Sequence, residues 1–263
     1  MLTSDHWIAT PGGRLFARSW TPEGSQANPT IVLFHDSLGC VELWREFPAA
    51  LAGTVGHRVV AYDRLGFGRS DPRQGPLAMG FMDEEARESV PALVAALGLD
   101  RIVPFGHSVG GAMAVSTAAR LPERCAAVVT VAAQAFVEDR TREGLQAAKR
   151  AFAEPGQVER LARYHGDKAR WVLDTWIDTW LSPEFKDWTL DANLARVGCP
   201  VLAIHGDRDE YGSVRHPERI AALARGASRM RIIEACGHVP HREAPEAVLG
   251  AVADFLTSAV PEI

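Results

Sequence analysis

Five short runs in this chain, 30–34, 57–62, 101–105, 125–131 and 200–204, carry apolar residues on successive rather than alternate positions, and 229–233 reads as a sixth strand. A strand with one wet face alternates, whereas a continuous run marks a strand covered on both faces. Segments with helical spacing lie between them, at 41–52, 83–97, 110–120, 213–225 and 245–257, and Pro91 should kink the second of these. This alternation predicts an α/β protein built on a doubly wound, mostly parallel sheet, in which ligands bind beyond the carboxyl ends of the strands. Before it, 6–9 and 14–20 read as two strands joined at Pro11-Gly12-Gly13 into a hairpin.

One strand end carries the pattern Gly106-His107-Ser108-Val109-Gly110, with the run 101–105 before it and an Ala-rich helix after it. Glycines two residues to each side allow strand and helix almost to touch, so the serine can sit in a strained turn at the helix N-terminus. There the free N–H groups and the positive end of the helix dipole favour negative charge on an attacked carbonyl oxygen. A serine hydroxyl is a weak nucleophile at neutral pH and needs a histidine to take its proton and a carboxylate to orient that histidine. Two later strand ends offer them: the polar loop His205-Gly206-Asp207-Arg208-Asp209-Glu210 after the run 200–204, and Gly237-His238 after the run 229–233.

With these residues in view, the chain resembles the α/β-hydrolase fold serine hydrolases, in their esterase-like branch, over nearly its whole length. The resemblance rests on His35-Asp36-Ser37-Leu38-Gly39, Tyr62-Asp63-Arg64-Leu65-Gly66-Phe67-Gly68-Arg69-Ser70, the Ser108 turn, the 205–209 loop, and Gly237-His238 with Pro240, Glu243 and Pro245. It implies Ser108 as nucleophile, Asp209 as the acid, with Asp207 in reserve, and His238 as general base, in the chain order Ser, acid, His. It also implies backbone N–H groups of Ser37 and Val109 as the oxyanion hole. Where the family has His-Gly this chain has His35-Asp36, and the Asp36 side chain is expected to cap its own loop. His35 and His205 should bond loop backbone, His107 should pack beside the nucleophile, His241 should be exposed, and Arg64 and Arg69 should pair locally.

Residues 134–198 are too many for a single crossover helix, and 141–153, 156–165 and 168–181 have helical spacing broken by Pro155 and Pro183. They are expected to form an inserted helical cap (lid) on a core domain made of 1–133 and 199–263. Within the cap, Val172, Leu173, Trp176, Ile177, Trp180 and Leu181 fall on one apolar arc and read as core. Trp171 falls opposite them, which makes it a candidate for the substrate pocket.

The activity implied by the resemblance is hydrolysis of a carboxylic ester of a small, partly apolar substrate through an acyl-enzyme, with no cofactor and no metal. Serine at the elbow disfavours the epoxide and haloalkane chemistries that related proteins run with an aspartate there. The alternatives are carbon-carbon bond, lactone or thioester hydrolysis by the same residues, or a slow-turnover ligand-sensing receptor of the same fold. Carbon-carbon hydrolases rank lower, because Asp36-Ser37-Leu38 and Val239 replace their Gly/Ser-rich loop and their aromatic residue. A net charge of -5 with no basic run argues against a nucleic-acid partner. Four scattered cysteines indicate neither a disulfide framework nor a metal site. The polar start and the short apolar window 126–137, interrupted by Thr130 and Gln134, predict no export signal and no membrane span, hence a cytoplasmic monomer or homodimer.

Overall fold

The computed structural model describes residues 1–25 and 28–260. Eight strands form one sheet: β1 (Leu2–Thr10), β2 (Gly13–Thr21), β3 (Thr30–Phe34), β4 (Val59–Tyr62), β5 (Ile102–His107), β6 (Val128–Val131), β7 (Val201–Gly206) and β8 (Ser228–Ile233), in the order β1-β2-β4-β3-β5-β6-β7-β8. The β1–β2 hairpin lies against β4 through β2, both the β1–β2 and the β2–β4 pairs are antiparallel, and every other neighbour pair is parallel.

The helices are α1 (Phe47–Val55), α2 (Phe81–Glu84), α3 (Val90–Leu97), α4 (Val109–Arg120), α5 (Asp139–Phe152), α6 (Gln157–His165), α7 (Ala169–Leu181), α8 (Asp191–Leu194), α9 (Arg215–Leu223), α10 (Pro240–Glu243) and α11 (Pro245–Ala259). Helices α1 and α11 cover one face of the sheet, where Leu51, Val248 and Phe255 pack on Leu33, Phe105 and Ile204. On the other face Val90, Leu93, Met113 and Ile220 share one apolar cluster with Val32, Phe34, Val60 and Ala203, so the central strands are buried on both sides as their continuous apolar runs require. No helix among the described residues is long and apolar enough to cross a membrane.

Two local departures have physical causes. The expected helix 41–52 is split, because Arg45 takes a φ of 53° between a 3₁₀ turn, Val41–Trp44, and α1, whose second residue is Pro48. The kink expected at Pro91 appears instead as a π-turn, Glu85–Ser89, that joins α2 to α3. Proline has no N–H to donate and its ring crowds the carbonyl one turn back, so the helix widens just ahead of it.

Sheet order and register place the site. Phe34 pairs with Gly106, His107 with Val131 and Gly206 with Ile233, so the carboxyl ends of β3, β5, β6, β7 and β8 lie side by side. The loops leaving these ends carry Ser37, Ser108, Gln134, Asp209 and His238.

Candidate active site

Ser108 leaves β5 at φ 56° and ψ -127°, a conformation that costs a non-glycine residue about 1–3 kcal/mol. Its two glycine neighbours make that turn possible. A Cβ on Gly106 would lie 2.0 Å from the Gly110 carbonyl oxygen, and one on Gly110 would lie 2.1 Å from the Phe34 carbonyl oxygen, both far inside contact distance. The turn is held by the Ser108 N–H, which donates to Val131 O at 2.9 Å, and by the Gly111 N–H, which donates back to Ser108 O at 2.9 Å.

His238 and Asp209 arrive from the loops after β8 and β7. His238 Nε2 lies 3.0 Å from Ser108 Oγ, and His238 Nδ1 lies 2.8 Å from Asp209 Oδ2. The carboxylate can only accept, so Nδ1 carries the proton and Nε2 is left to accept the serine hydroxyl. Asp209 is buried, and its Oδ1 accepts from the N–H groups of Tyr211 at 2.8 Å and Gly212 at 3.2 Å. Asp207 is exposed on the same loop and instead accepts from the Cys236 N–H at 3.3 Å, which ties the loop of the acid to the loop of the histidine.

Burial presses the His238 pKa down, but the hydrogen bond and charge of Asp209, aided by Glu210 and Asp36, outweigh it and leave the imidazole above its ordinary value. Burial likewise pushes the Asp209 carboxyl up, and the hydrogen bond and charge of His238, with His205 and the Tyr211 N–H, bring it below the usual value. The two shifts agree in sign and describe one mutually stabilised pair. Cys236, two residues before His238, has its thiol pushed up to about 11, chiefly by burial, and is no rival nucleophile near neutral pH.

The loop after β3 is pinned by the Asp36 carbonyl, which accepts from His35 Nδ1 at 2.7 Å, from Arg64 Nη2 at 2.9 Å and from the Gly39 N–H at 3.2 Å. Across a planar trans peptide the Ser37 N–H must point the opposite way. Neither that N–H nor the Val109 N–H has an acceptor among the described residues. Asp36 Oδ1 accepts from the Leu38 N–H at 2.9 Å, the turn-capping bond its side chain favours, and Oδ2 lies 3.3 Å from His107 Nδ1. His107 Nε2 donates to the His238 carbonyl at 2.8 Å, so the histidine beside Ser108 also anchors the histidine that faces it.

A cavity of about 240 Å³ opens on Ser108 and His238, walled by Leu38, Leu145, Trp176, Trp180 and Tyr211. The arc that read as core thus supplies the roof of the site through Trp176 and Trp180. Trp171 does not line the cavity. It lies on the Gly66 turn, edge to face with Phe67 at 5.6 Å, and its Nε1–H donates to Gly75 O at 2.9 Å. The indole on the polar face of α7 is therefore docked on the 66–75 loop, which answers its exposure without a pocket. His241, expected at the surface, is buried against Trp44 and His107, and burial drives its pKa well below the ordinary imidazole value. Gln134 was visible in the sequence only as a polar break in an apolar window, yet it stands at the end of β6 with Ser108 Oγ 3.3 Å from its Oε1.

The chain between β6 and β7 is fastened at its root. Phe136 bridges Thr189, and the Leu190 N–H donates to Ala135 O at 2.8 Å, which clasps the way in to the way out. From the start of α5, Arg140 donates to Asp209 O at 3.0 Å and Thr141 donates to Tyr211 O at 2.7 Å. Glu138 accepts from the Ser213 N–H at 2.6 Å and from the Ser213 hydroxyl at 3.0 Å. At the far side His165 accepts from the Gly68 N–H at 2.9 Å and donates to Leu38 O at 2.9 Å.

Comparison with known proteins adds an independent line. The family model described as the alpha/beta hydrolase fold matches residues 29–177. The human serine hydrolase BPHL is 28% identical over 206 residues, covering 75% of this chain and 69% of its own. The 2-hydroxy-6-oxononadienedioate/2-hydroxy-6-oxononatrienedioate hydrolase of Paraburkholderia xenovorans is 26% identical over 263 residues, covering 89% of each chain. Among solved structures, that of a membrane phospholipase A, a bacterial virulence factor, superposes with a TM-score of 0.80 at 25% identity, over 98% of this chain and 87% of that one.

Proposed function

This chain belongs to the alpha/beta hydrolase fold family, and on that premise we propose that it hydrolyses carboxylic esters of small, partly apolar substrates through an acyl-enzyme on Ser108. The observation that carries the reading is the unbroken line from Ser108 Oγ to His238 at 3.0 Å and on to Asp209 at 2.8 Å, opening on a mainly apolar cavity.

In this reading Ser108 Oγ attacks the ester carbonyl as its proton passes to His238 Nε2. The carbonyl oxygen takes up the negative charge between the Ser37 and Val109 N–H groups, whose lack of internal acceptors supports that role. His238 returns the proton to the departing alkoxide, and the acyl group stays on Ser108. Water then gives a proton to His238 as it attacks the acyl carbon, and collapse of the second tetrahedral species frees the acid and restores the serine hydroxyl. Asp209 keeps the imidazole in the tautomer that can accept and stabilises the imidazolium. Residues 134–198 act as the cap that roofs the acyl pocket.

The test is a series of 4-nitrophenyl esters from acetate to decanoate, run beside a lactone and a vinylogous diketone. The cavity of about 240 Å³ is finite, so kcat/KM should pass through an optimum and fall as the acyl chain outgrows it. Turnover should continue far past one product per enzyme. A single burst with no further cycles would favour the receptor reading, and preferential cleavage of the diketone the carbon-carbon reading. Trp176→Ala should move the optimum to longer acyl groups, and an unchanged profile would remove Trp176 from the acyl pocket.

A further inference from the structure

Gln134 is a buried amide in the cavity wall whose NH₂ group has no partner among the described residues. It is 3% exposed, and its Oε1 lies 3.3 Å from the Ser108 hydroxyl. Its Nε2 donates to no described residue, and the amide lines the same cavity as Leu145, Trp176 and Trp180. Thr141, which also lines it, already donates its hydroxyl proton to Tyr211 O at 2.7 Å. A primary amide carries two N–H donors, and in the free enzyme these can be served by water in the cavity. A bound substrate displaces that water. A purely hydrocarbon substrate then leaves the donors unmatched, whereas one with an acceptor at that spot restores the bond.

Resting on the ester reading above, we infer that Gln134 is a specificity-determining residue that selects substrates bearing a second hydrogen-bond acceptor, an ether or keto oxygen, close to the scissile carbonyl. The short reach from Gln134 to Ser108 Oγ fixes that position, because any atom bonded to Nε2 must lie within a few bonds of the carbon that Oγ attacks. The same chemistry can come from the acyl side or the alcohol side of the ester.

The test compares isosteric pairs in which O replaces CH₂: 4-nitrophenyl methoxyacetate against 4-nitrophenyl butyrate for the acyl side, and 2-methoxyethyl acetate against butyl acetate for the alcohol side. The ratio of kcat/KM within each pair is measured for the wild-type protein and for Gln134→Leu. Activation of an ester by its ether oxygen is common to both proteins and cancels. For the pair that matches the true side, the ratio should fall about tenfold or more in the variant. Equal ratios in both proteins for both pairs would overturn the inference. If Gln134→Leu does not fold, Gln134→Met, which keeps the length and removes the donors, gives the same comparison.

Binding separates this inference from the reading beneath it. Calorimetric titration of methoxyacetanilide against butyranilide, neither cleaved during the measurement, should show an ether preference in the wild-type protein that is lost in the variant. A wild-type protein that hydrolyses none of the esters yet keeps this preference refutes ester hydrolysis and leaves the role of Gln134 standing. A preference for neither anilide refutes an acyl-side role of Gln134, and together with equal ratios in both proteins for the alcohol-side pair it refutes the role of Gln134 altogether.

Discussion

Ser108→Ala is expected to lower kcat for ester hydrolysis by about three to six orders of magnitude while the folded structure persists. The substitution removes one oxygen from a side chain that is already largely buried and keeps the Cβ, so the unusual backbone at this position is neither relieved nor worsened. What disappears is the atom proposed to join the acyl group. The Ser37 and Val109 N–H groups, and binding in the cavity, remain and should sustain a residual rate above that in water. The measurement is steady-state hydrolysis of 4-nitrophenyl butyrate together with the thermal midpoint of the variant. Full activity in a correctly folded variant would remove Ser108 from the chemistry, and with it the proposed acyl-enzyme.

The second large effect is expected for Asp209→Asn, a loss of about four orders of magnitude in kcat with little change in structure. The reasoning is local. The side-chain oxygen that accepts from the Tyr211 and Gly212 N–H groups at 2.8 and 3.2 Å must remain an oxygen, so the new NH₂ group has to face His238 Nδ1. Two donors cannot face each other, and the imidazole shifts its proton to Nε2, where it can no longer accept from Ser108. The rate should also change its dependence on pH. In the wild-type protein His238 is held above the ordinary imidazole value of 6.5, mainly because Asp209 outweighs burial, so activity should rise with pH through a midpoint above 6.5. Without that carboxylate, burial is left to act in the other direction, and the acid limb of the residual activity should move to lower pH. A limb that stays in place would mean that Asp209 does not govern the titration of His238.

The sheet was legible because its signal is one-dimensional. Runs such as 31–34 and 201–204 are apolar at every position since helices cover both faces, and that requirement reaches the sequence undiluted. The turn at Ser108 was legible for a similar reason, as Gly106 and Gly110 sit where backbone from Gly110 and Phe34 leaves no room for a Cβ. Cavity walls give no such signal. Trp176 and Trp180 occupy the apolar side of α7 whether they meet another side chain or an empty volume, so a helical wheel cannot tell core from roof. Trp171 looked exposed because the wheel shows one helix, while its partners, Phe67 and the Gly75 carbonyl, belong to a loop about a hundred residues earlier. The break of the helix at Arg45, the burial of His241 and the position of Gln134 all depend on tertiary neighbours in the same way.

The fastening at the root of the insertion bears on how such a protein can be re-engineered. Because Arg140, Thr141 and Glu138 hold the backbone at Asp209, Tyr211 and Ser213, a lid transplanted from a relative would arrive without the bonds that keep the carboxylate in place. On the proposed lid reading, a chimera made by exchanging residues 134–198 alone is expected to lose rate together with selectivity. One in which the 209–213 loop travels with its lid keeps the joint intact and can acquire the donor's substrate range.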